Sequence, residues 1–258
     1  MRISRAGLTL NADDWGRDLK NTNRALECIQ KRVISSASAM VFMEDSSRSA
    51  ALALEHGVDC GLHLNLTTPF LAPQAQPALN RHLERTAGFL RSHRLASALY
   101  RPDLAASFAY LVQAQLDAFE RLYGAPPQRI DGHHHMHLCA NVIRQKLLPA
   151  STIVRRNFSF APGEKSAINR WYRARQDRRL ARRHRMTDYF YSLPPLRPLS
   201  RVQHIVRLAL SAEVEVETHP VNDDEYRFLT GNEFEQCLAG QQVSRGYHLA
   251  AASSESSA

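Results

Sequence analysis

The sequence predicts an α/β fold, a distorted (β/α) barrel built mostly from parallel strands. Short runs of strand composition alternate with longer amphipathic runs, and five or more such units follow one another along the 258 residues. Polar residues recur where the predicted strands end, which is where parallel α/β folds carry their sites. We therefore expect one domain over residues 1–250, with a metal site at the C-terminal ends of the strands.

The first half of the chain is predicted to alternate strands and helices. Asp18 can cap the first helix, and Gly57 can close the second, because glycine adopts the left-handed conformation that ends helices. Within residues 60–67 (CGLHLNLT), leucines alternate with polar residues such as His63 and Asn65, which predicts a strand with two different faces. In chain order the predicted elements are strands at 8–11, 33–42 and 60–67 and helices at 19–32, 46–57 and 102–123, the last preceded by a weaker helical stretch.

The second half is less regular. Residues 157–200 are rich in arginine and proline, and a segment of that length is typical of a lid or an insertion. Residues 251–258 are predicted to form a disordered tail. In chain order the predicted elements are strands at 130–138, 152–154 and 214–218 and helices from 141 and near 201–210.

Positive charge is concentrated in one segment. The formal net charge is +8, and residues 169–185 contain eight arginines and one aspartate, a local +7 that leaves +1 elsewhere. A patch of this kind does not indicate general coating of nucleic acid, and no nucleic-acid partner is expected. Three interpretations of the segment stay open: a solvated or disordered insertion, a contact for an anionic membrane surface or a lipid-linked, phosphate-bearing substrate, and, least favoured, a contact for nucleic acid.

Neither a membrane span nor a signal peptide is predicted. The four cysteines are widely spaced and form no CxxC pair, which is typical of reduced thiols in a cytosolic protein. The protein is therefore expected to be cytoplasmic, with a peripheral contact to the inner face of the membrane as a further expectation. Homodimer formation stays open.

Four histidines fall within residues 131–137 (DGHHHMH). On a strand, the first, third and fourth of them would share one face, while His134 would point the other way. Gly132 would let another part of the backbone approach the first histidine closely. Three imidazoles on one face predict a metal site, and the members of that set are His133, His135 and His137.

Acidic residues and a further histidine at other strand ends can add metal ligands to those of the histidine run. Divalent ions used in hydrolysis take two or three His or carboxylate ligands and keep a position for water. Asp14 and His63 can supply such ligands, while Asp13 can stay free as a base if the chain turns between the two acids. His219 follows the last strand and is a weaker catalytic candidate. No G-x-S-x-G, P-loop or G-x-G-x-x-G motif is present, so neither serine-nucleophile chemistry nor a nucleotide cofactor is predicted.

Four motifs follow one another in the chain, and they are NADDWG at 11–16, GLHLNLT at 61–67, DGHHHMH at 131–137 and ETHP at 217–220. In this order they resemble the motifs of the YdjC-like carbohydrate deacetylases, a family that includes chitooligosaccharide deacetylase and the hopanoid-biosynthesis deacetylase. Small departures are Trp15, Gly132 and Val221, which stand where the family usually has Phe, Ser and Gly. The last of these changes the loop beside the ETHP histidine.

The resemblance implies a distorted βα barrel that removes acetyl groups from an N-acetylated sugar, oligosaccharide or lipid-linked glycan with one divalent ion. It implies Asp14, His63 and His133 as the metal ligands. It also implies Asp13 as the general base and His219 as the acid, or as the group that orients the base. The ion would be Mg or Zn, with Mn and Co as further candidates. The residues expected to contact substrate or to support the ligands are Asn11, Asn65, His135 and His137.

Two other functions stay open. A phosphoesterase or another amidohydrolase could use the same Asp and His set, since fold and ligands do not fix the substrate. Two ions about 3.5–4 Å apart would favour the phosphoesterase. The other is a non-enzymatic protein that binds polyanions or membranes through the arginine-rich segment, with the histidines storing or sensing metal.

Overall fold

The computed structural model describes residues 6–73, 75–160, 164–244 and 246. Within them the strands are β1 (Gly7–Trp15), β2 (Ser36–Ala39), β3 (Cys60–Leu64), β4 (Arg129–Gly132), β5 (Ile153–Val154), β6 (Tyr189–Ser192) and β7 (Glu213–Thr218). They form one sheet in the order β5-β4-β3-β2-β1-β7-β6, and every neighbouring pair is parallel. The predicted parallel arrangement is confirmed.

Helices flank the sheet and begin and end at residues suited to those positions. Asp18 accepts a hydrogen bond from the backbone N–H of Asn21 at the start of the first helix, and Gly57 closes the second with a φ of 62°. The helices are α1 (Leu19–Gln30), α2 (Ser46–His56), α3 (Pro77–Ser92), α4 (Ala105–Tyr123), α5 (Ala140–Gln145), α6 (Ala167–Leu180), α7 (Leu199–Leu208), α8 (Asp223–Thr230) and α9 (Asn232–Leu238), with 3₁₀ turns at Ala96–Ala98, Pro102–Leu104 and His133–Leu138.

The sheet is curled into a half-barrel, which confirms the predicted distorted barrel. Arg155 directly follows β5 at one edge of the sheet, yet its Nε lies 2.6 Å from Oε1 of Glu215 on β7. In a flat sheet these strands would be about 24 Å apart, at roughly 4.8 Å per strand. The polar side chains of strands that are distant in the sheet therefore meet inside the curl.

Alternation along the strands separates the apolar core from this polar interior. On β7, Val214 and Val216 are buried in the apolar core, while Glu215 and Glu217 are buried on the opposite face. β1 pairs with β7 so that Asn11 lies opposite Glu217. The polar faces of these two neighbouring strands therefore lie side by side.

The predicted strand over 130–138 is wrong beyond Gly132. β4 ends at that residue, and a 3₁₀ turn follows in which His134 and His135 have φ values of 54° and 58°. Left-handed backbone at two consecutive residues turns the chain out of the strand direction. The shared face expected for His133, His135 and His137 therefore does not form.

The predicted strand over 60–67 is also too long. β3 ends at Leu64, and the side-chain oxygen of Asn65 accepts hydrogen bonds from the backbone N–H groups of Thr67 and Thr68 at 3.1 and 2.9 Å. Asparagine bonds of this kind compete with strand pairing and turn the chain. Asn65 is consequently a turn residue rather than a member of a polar strand face.

The arginine-rich segment at 157–200 contains regular structure. It includes α6 and also β6, which pairs with β7 and completes one edge of the sheet. α8 and α9 follow β7 and have no counterpart among the predicted elements. The predicted tail at 251–258 lies outside the described residues. Among the described helices, none combines the length and the apolar character needed to cross a bilayer.

Candidate metal centre

An irregularity at the end of β1 brings two consecutive carboxylates to one place. The register with β2 shifts between Ala12 and Trp15, and Asp14 has a φ of 63°. In a regular strand consecutive side chains face opposite sides. Here both carboxylates approach His63, whose Nε2 lies 3.9 Å from Asp13 Oδ2 and 3.3 Å from Asp14 Oδ1. The chain therefore makes the turn between the two acids on which their expected division into ligand and base depends.

Asp14, His63 and His133, the expected metal ligands, lie together. Their ligand atoms are all within 4.8 Å of one another, and the three residues are buried. His133 Nδ1 lies 2.8 Å from Asp14 Oδ1, and this oxygen is buried without a hydrogen bond of acceptable geometry. An anionic oxygen that faces two imidazole nitrogens without a well-placed donor fits a cation. One carboxylate with two imidazoles is a typical ligand set for a divalent metal.

Asp131 orients His63. Its Oδ1 lies 2.7 Å from His63 Nδ1, and its Oδ2 lies 2.9 Å from Arg155 Nη2. When Nδ1 donates its proton to Asp131, Nε2 is left as the ligand atom that faces Asp14. Burial lowers the pKa of His63, but Asp13 and Asp131 raise it more strongly, to about 10. The ring must lose its extra proton before an ion can bind.

Arg155 is a buried cation among four carboxylates. Two of its nitrogens donate to the two oxygens of Asp13, each at 2.7 Å. Burial raises the pKa of Asp13, but the charge and hydrogen bonds of Arg155, together with the charge of His63, outweigh this effect and hold the pKa below its ordinary value. Asp13 is therefore ionised at neutral pH. The other carboxylates near Arg155 are Asp131 at 2.9 Å, Glu215 at 2.6 Å and Glu217 at 3.6 Å.

Asn11 holds Asp13 from another direction. Its Nδ2 donates to Asp13 Oδ1 at 2.7 Å, and its Oδ1 accepts from the Ser36 hydroxyl at 2.8 Å. A second group of potential ligands consists of Asp13, His63 and Asp131. In that group, however, Arg155 already contacts both carboxylates. Asp13 is thus a fixed and ionised carboxylate beside the candidate metal ligands, which is the arrangement expected of a base.

The other histidines of the motif diverge from the cluster. His137 Nε2 lies 3.0 Å from the backbone oxygen of Arg155, and burial lowers the pKa of His137 to about 4. His135 packs against Phe158, and its Nε2 lies 3.6 Å from Glu217. Burial lowers the pKa of His135 to about 3. Both rings are neutral at pH 7, and His137 supports the chain after β5 while His135 faces a cleft.

Of the two remaining predicted site residues, Asn65 has its side chain bonded within a turn, whereas the ring of His219 is unbonded within the described residues. The amide of Asn65 is engaged by the turn after β3, since its Nδ2 also donates to the backbone oxygen of Thr68. His219 follows Thr218, which pairs with Ala12. It therefore lies at the C-terminal ends of the strands, as the two acids do. Its ring is half-buried and forms no hydrogen bond or ion pair within the described part of the chain.

A cleft of about 320 Å³ adjoins the centre. His134 and His135 line it together with Asn157, Phe158 and Tyr172. Amide, hydroxyl and aromatic groups in one cleft can bind a ring that carries polar substituents.

Four charged residues of the interior have no assigned role in the sequence prediction. A signal for two of them is the alternation of VEVET at 214–218, where acidic residues repeat inside a strand with a buried valine face. Arg155 comes directly after the predicted strand at 152–154, as catalytic residues of such folds often do. The set is Asp131, Arg155, Glu215 and Glu217.

The chain matches one family model and several curated proteins. The family model described as YdjC-like protein matches residues 7–245. A carbohydrate deacetylase of Mus musculus is 29% identical over 143 residues, which are 55% of this chain and 46% of that protein. A chitooligosaccharide deacetylase of Serratia marcescens is 32% identical over 132 residues, which are 51% of this chain and 50% of that protein. The chain thus spans about half the length of these curated relatives.

A solved structure has the same fold. That of a putative cellobiose-phosphate cleavage protein from Enterococcus faecalis V583 matches with a TM-score of 0.63 and 17% identity, over 92% of this chain and 95% of that one. The likeness at this identity concerns the fold. The family model, by contrast, covers most of the chain and all four motifs of the predicted resemblance. The chain therefore belongs to the YdjC-like protein family.

Proposed function

We propose that the protein is a divalent-metal-dependent deacetylase that hydrolyses the acetamide group of an N-acetylated carbohydrate. The observation that carries the proposal is the position of Asp13, an ionised carboxylate fixed by Arg155, beside the Asp14, His63 and His133 cluster. Relatives named carbohydrate and chitooligosaccharide deacetylases support this class of substrate. A free sugar, an oligosaccharide and a lipid-linked glycan all belong to this substrate class.

Each residue has a separate task in this reaction. Asp14, His63 and His133 would hold the ion, with Zn or Mg as the first candidates and Mn or Co as the next. When bound, the ion would polarise the acetamide carbonyl and stabilise the negative charge that develops on its oxygen. Asp13 would accept a proton from the attacking water, because Arg155 keeps it ionised. His219 would donate the proton with which the amine leaves.

The contacts of Arg155 favour one ion rather than two, and hence amide hydrolysis over the phosphoesterase alternative. Two-metal phosphoesterases need a second cation close to the first. The carboxylates that could hold a second ion, Asp13 and Asp131, already share the charge of Arg155. An amidohydrolase that removes a different acyl group is the alternative that the assay has to exclude.

The test measures acetate release from a panel of N-acetylated sugars and lipid-linked glycans. The protein is first stripped with a chelator, and Mg, Zn, Mn or Co is then added back. We expect metal-dependent acetate release from at least one member. Acetate absent across the panel, with the protein folded and metal bound, would contradict the deacetylase assignment and direct the assay to other acyl amides and phosphoesters.

Variants test the assigned roles. Asp13→Asn should lower turnover by about 10²–10⁴-fold and still bind metal, because it removes the base and no ligand. His63→Ala should lose the metal as well, which metal analysis after gel filtration would detect. Asp103→Asn, at an exposed carboxylate that pairs with Arg101, is the matched control and should keep wild-type turnover. Near wild-type turnover of Asp13→Asn would contradict its assignment as the base.

A further inference from the structure

Helix α6 has two faces of different character. Its inner face contains Asp177, whose Oδ1 accepts a hydrogen bond from the backbone N–H of Asn157, and the buried Leu180. Ile168 and Trp171 lie on the outer face and are 80% and 58% exposed. The outer face follows helical spacing and continues past the end of the helix, through Ile168, Trp171, Arg175, Arg178 and Arg182.

The one acidic residue of α6, Asp177, pairs with Arg156 and not with the exposed arginines of the helix. No carboxylate among the described residues forms an ion pair with Arg175, Arg178, Arg179 or Arg182, and these four side chains line one recess of about 270 Å³. Arg175 lies over the ring of Trp171, 5.9 Å from its centroid. Four clustered guanidinium groups repel one another unless a partner supplies negative charge.

A cavity of about 490 Å³ adjoins this recess and shares Arg179 and Arg182 with it. Its apolar lining consists of side chains that are buried or half-buried, and its basic lining is formed mainly by side chains that reach solvent. The apolar members are Val142, Ile143, Leu148 and Leu180, and the basic members include Arg144, Lys146, Arg179, Arg182 and Arg183. An apolar interior with a cationic opening complements an amphiphile whose head group is anionic.

We propose that the outer face of α6 and this cavity bind an anionic phospholipid bilayer. We call the two together the α6 surface, formed by residues 142–148 and 168–183. Arginine side chains attract anionic head groups, while exposed tryptophan and isoleucine side chains gain free energy in the interfacial region of a bilayer. A nucleic acid would satisfy the arginines but would leave Ile168 and the apolar cavity without a partner. The exposed isoleucine and the apolar cavity therefore favour a lipid bilayer over a nucleic acid as the partner.

Bilayer binding would also position the cleft. Tyr172, Arg173 and Gln176 of α6 line the cleft that contains His134 and His135. The same helix thus forms one wall of the cleft and the basis of the α6 surface. This inference goes beyond the deacetylase proposal and is independent of it, since binding needs no catalysis.

The test is cosedimentation of the 258-residue chain with sucrose-loaded vesicles. We expect binding to vesicles of phosphatidylcholine with one quarter phosphatidylglycerol, and little binding to phosphatidylcholine alone. The triple variant Arg175→Ser/Arg178→Ser/Arg182→Ser should bind roughly 100-fold more weakly, since each charge near an anionic bilayer contributes several-fold. The matched control Arg81→Ser/Arg85→Ser/Arg91→Ser removes the same charge from exposed positions of α3 and should bind like the wild type. Unchanged melting temperatures would show that both variants are folded.

Tryptophan fluorescence gives a second measurement. The chain has two tryptophans, and Trp15 is fully buried, so a change in emission on vesicle binding reports Trp171. A blue shift with anionic vesicles, lost in Trp171→Phe, is expected. Equal loss of binding in both triple variants would overturn the proposal. Tighter binding to polyuridylate RNA than to anionic vesicles, without a blue shift, would overturn it as well and assign the surface to nucleic acid.

Discussion

Arg155 holds the interior carboxylates together through direct contacts. Its planar guanidinium contacts Asp13 through two nitrogens and Glu215 through a third. A lysine ammonium is a compact charge and cannot make this set of fixed bonds. Burying several like charges is costly unless they are paired and hydrogen-bonded. The ionisation of the proposed base therefore depends on one side chain that comes from the far edge of the sheet.

Replacement of Arg155 by lysine should change the pH dependence of the reaction. The pKa of Asp13 is held down by Arg155, so Arg155→Lys should raise it. Since the base works only when ionised, the acid limb of the kcat/KM profile should move to higher pH. Loss of the two-pronged bond should also lower kcat on the order of 100-fold through misplacement of the base. Arg101→Lys, at an exposed ion pair, is the control, and identical profiles for both variants would contradict the assigned role.

Metal affinity should depend on pH through His63. In the chain without metal the pKa of His63 is raised to about 10, so the ring carries a proton at neutral pH that an ion must displace. The apparent affinity should therefore rise about tenfold per pH unit between roughly pH 6 and pH 8. Calorimetry in buffers with different heats of ionisation would count the released protons. An affinity that stays constant over this interval would show that His63 is neutral before the ion binds.

At the scale of elements, local signals predict α1, α2 and α4 because capping residues and helical spacing act within a few residues. They fail where distant contacts set the backbone. β3 stops at Leu64, where Gln115 of α4 binds the backbone of Asn65 and so supports the turn that the Asn65 side chain makes. The histidine motif leaves the strand direction where His137 meets the backbone of Arg155. β6 lies in an arginine-rich segment without a clear strand period, and only its pairing with β7 defines it.

Gln115 offers a test of such a contact. Its Oε1 accepts the N–H of Asn65 at 2.7 Å, and its Nε2 donates to the oxygen of Asn65 at 2.9 Å. Gln115→Leu leaves both buried backbone groups without partners and should lower the free energy of unfolding by about 2–3 kcal/mol in urea titrations. Gln113→Leu, on the exposed side of the same helix, should change it by less than about 0.5 kcal/mol. Equal effects of the two substitutions would mean that the bonds to Asn65 contribute nothing measurable.

At the scale of the molecule, the grouping of Asp14, His63 and His133 is predictable. All three lie at or just after the C-terminal ends of parallel strands, and these ends point the same way. The order β4-β3-β2-β1 then brings residues more than a hundred positions apart into one cluster. The contribution of Arg155 is not predictable in this way. It depends on the curl of the whole sheet, which no local pattern encodes.

Metal should stabilise the whole molecule, because its proposed ligands come from β1, β3 and the turn after β4, which separate on unfolding. At a free ion concentration of about 100 times Kd, binding to the folded state adds about 2.7 kcal/mol. For a chain of this size that corresponds to a rise in Tm of about 5–10 °C. Differential scanning fluorimetry with added Zn or Mg would measure it. His63→Ala should show no rise, and a rise that persists in this variant would place the ion elsewhere.

Asp13 and Asp14 share one peptide plane, and the left-handed backbone at Asp14 directs both carboxylates at the same ring. Their side chains are nevertheless held by different elements, since Asp13 is bonded to Arg155 after β5 and Asp14 faces His133 after β4. A displacement of β5 relative to β4 would therefore change the distance between the proposed base and the proposed ion, although the two acids are adjacent in the chain.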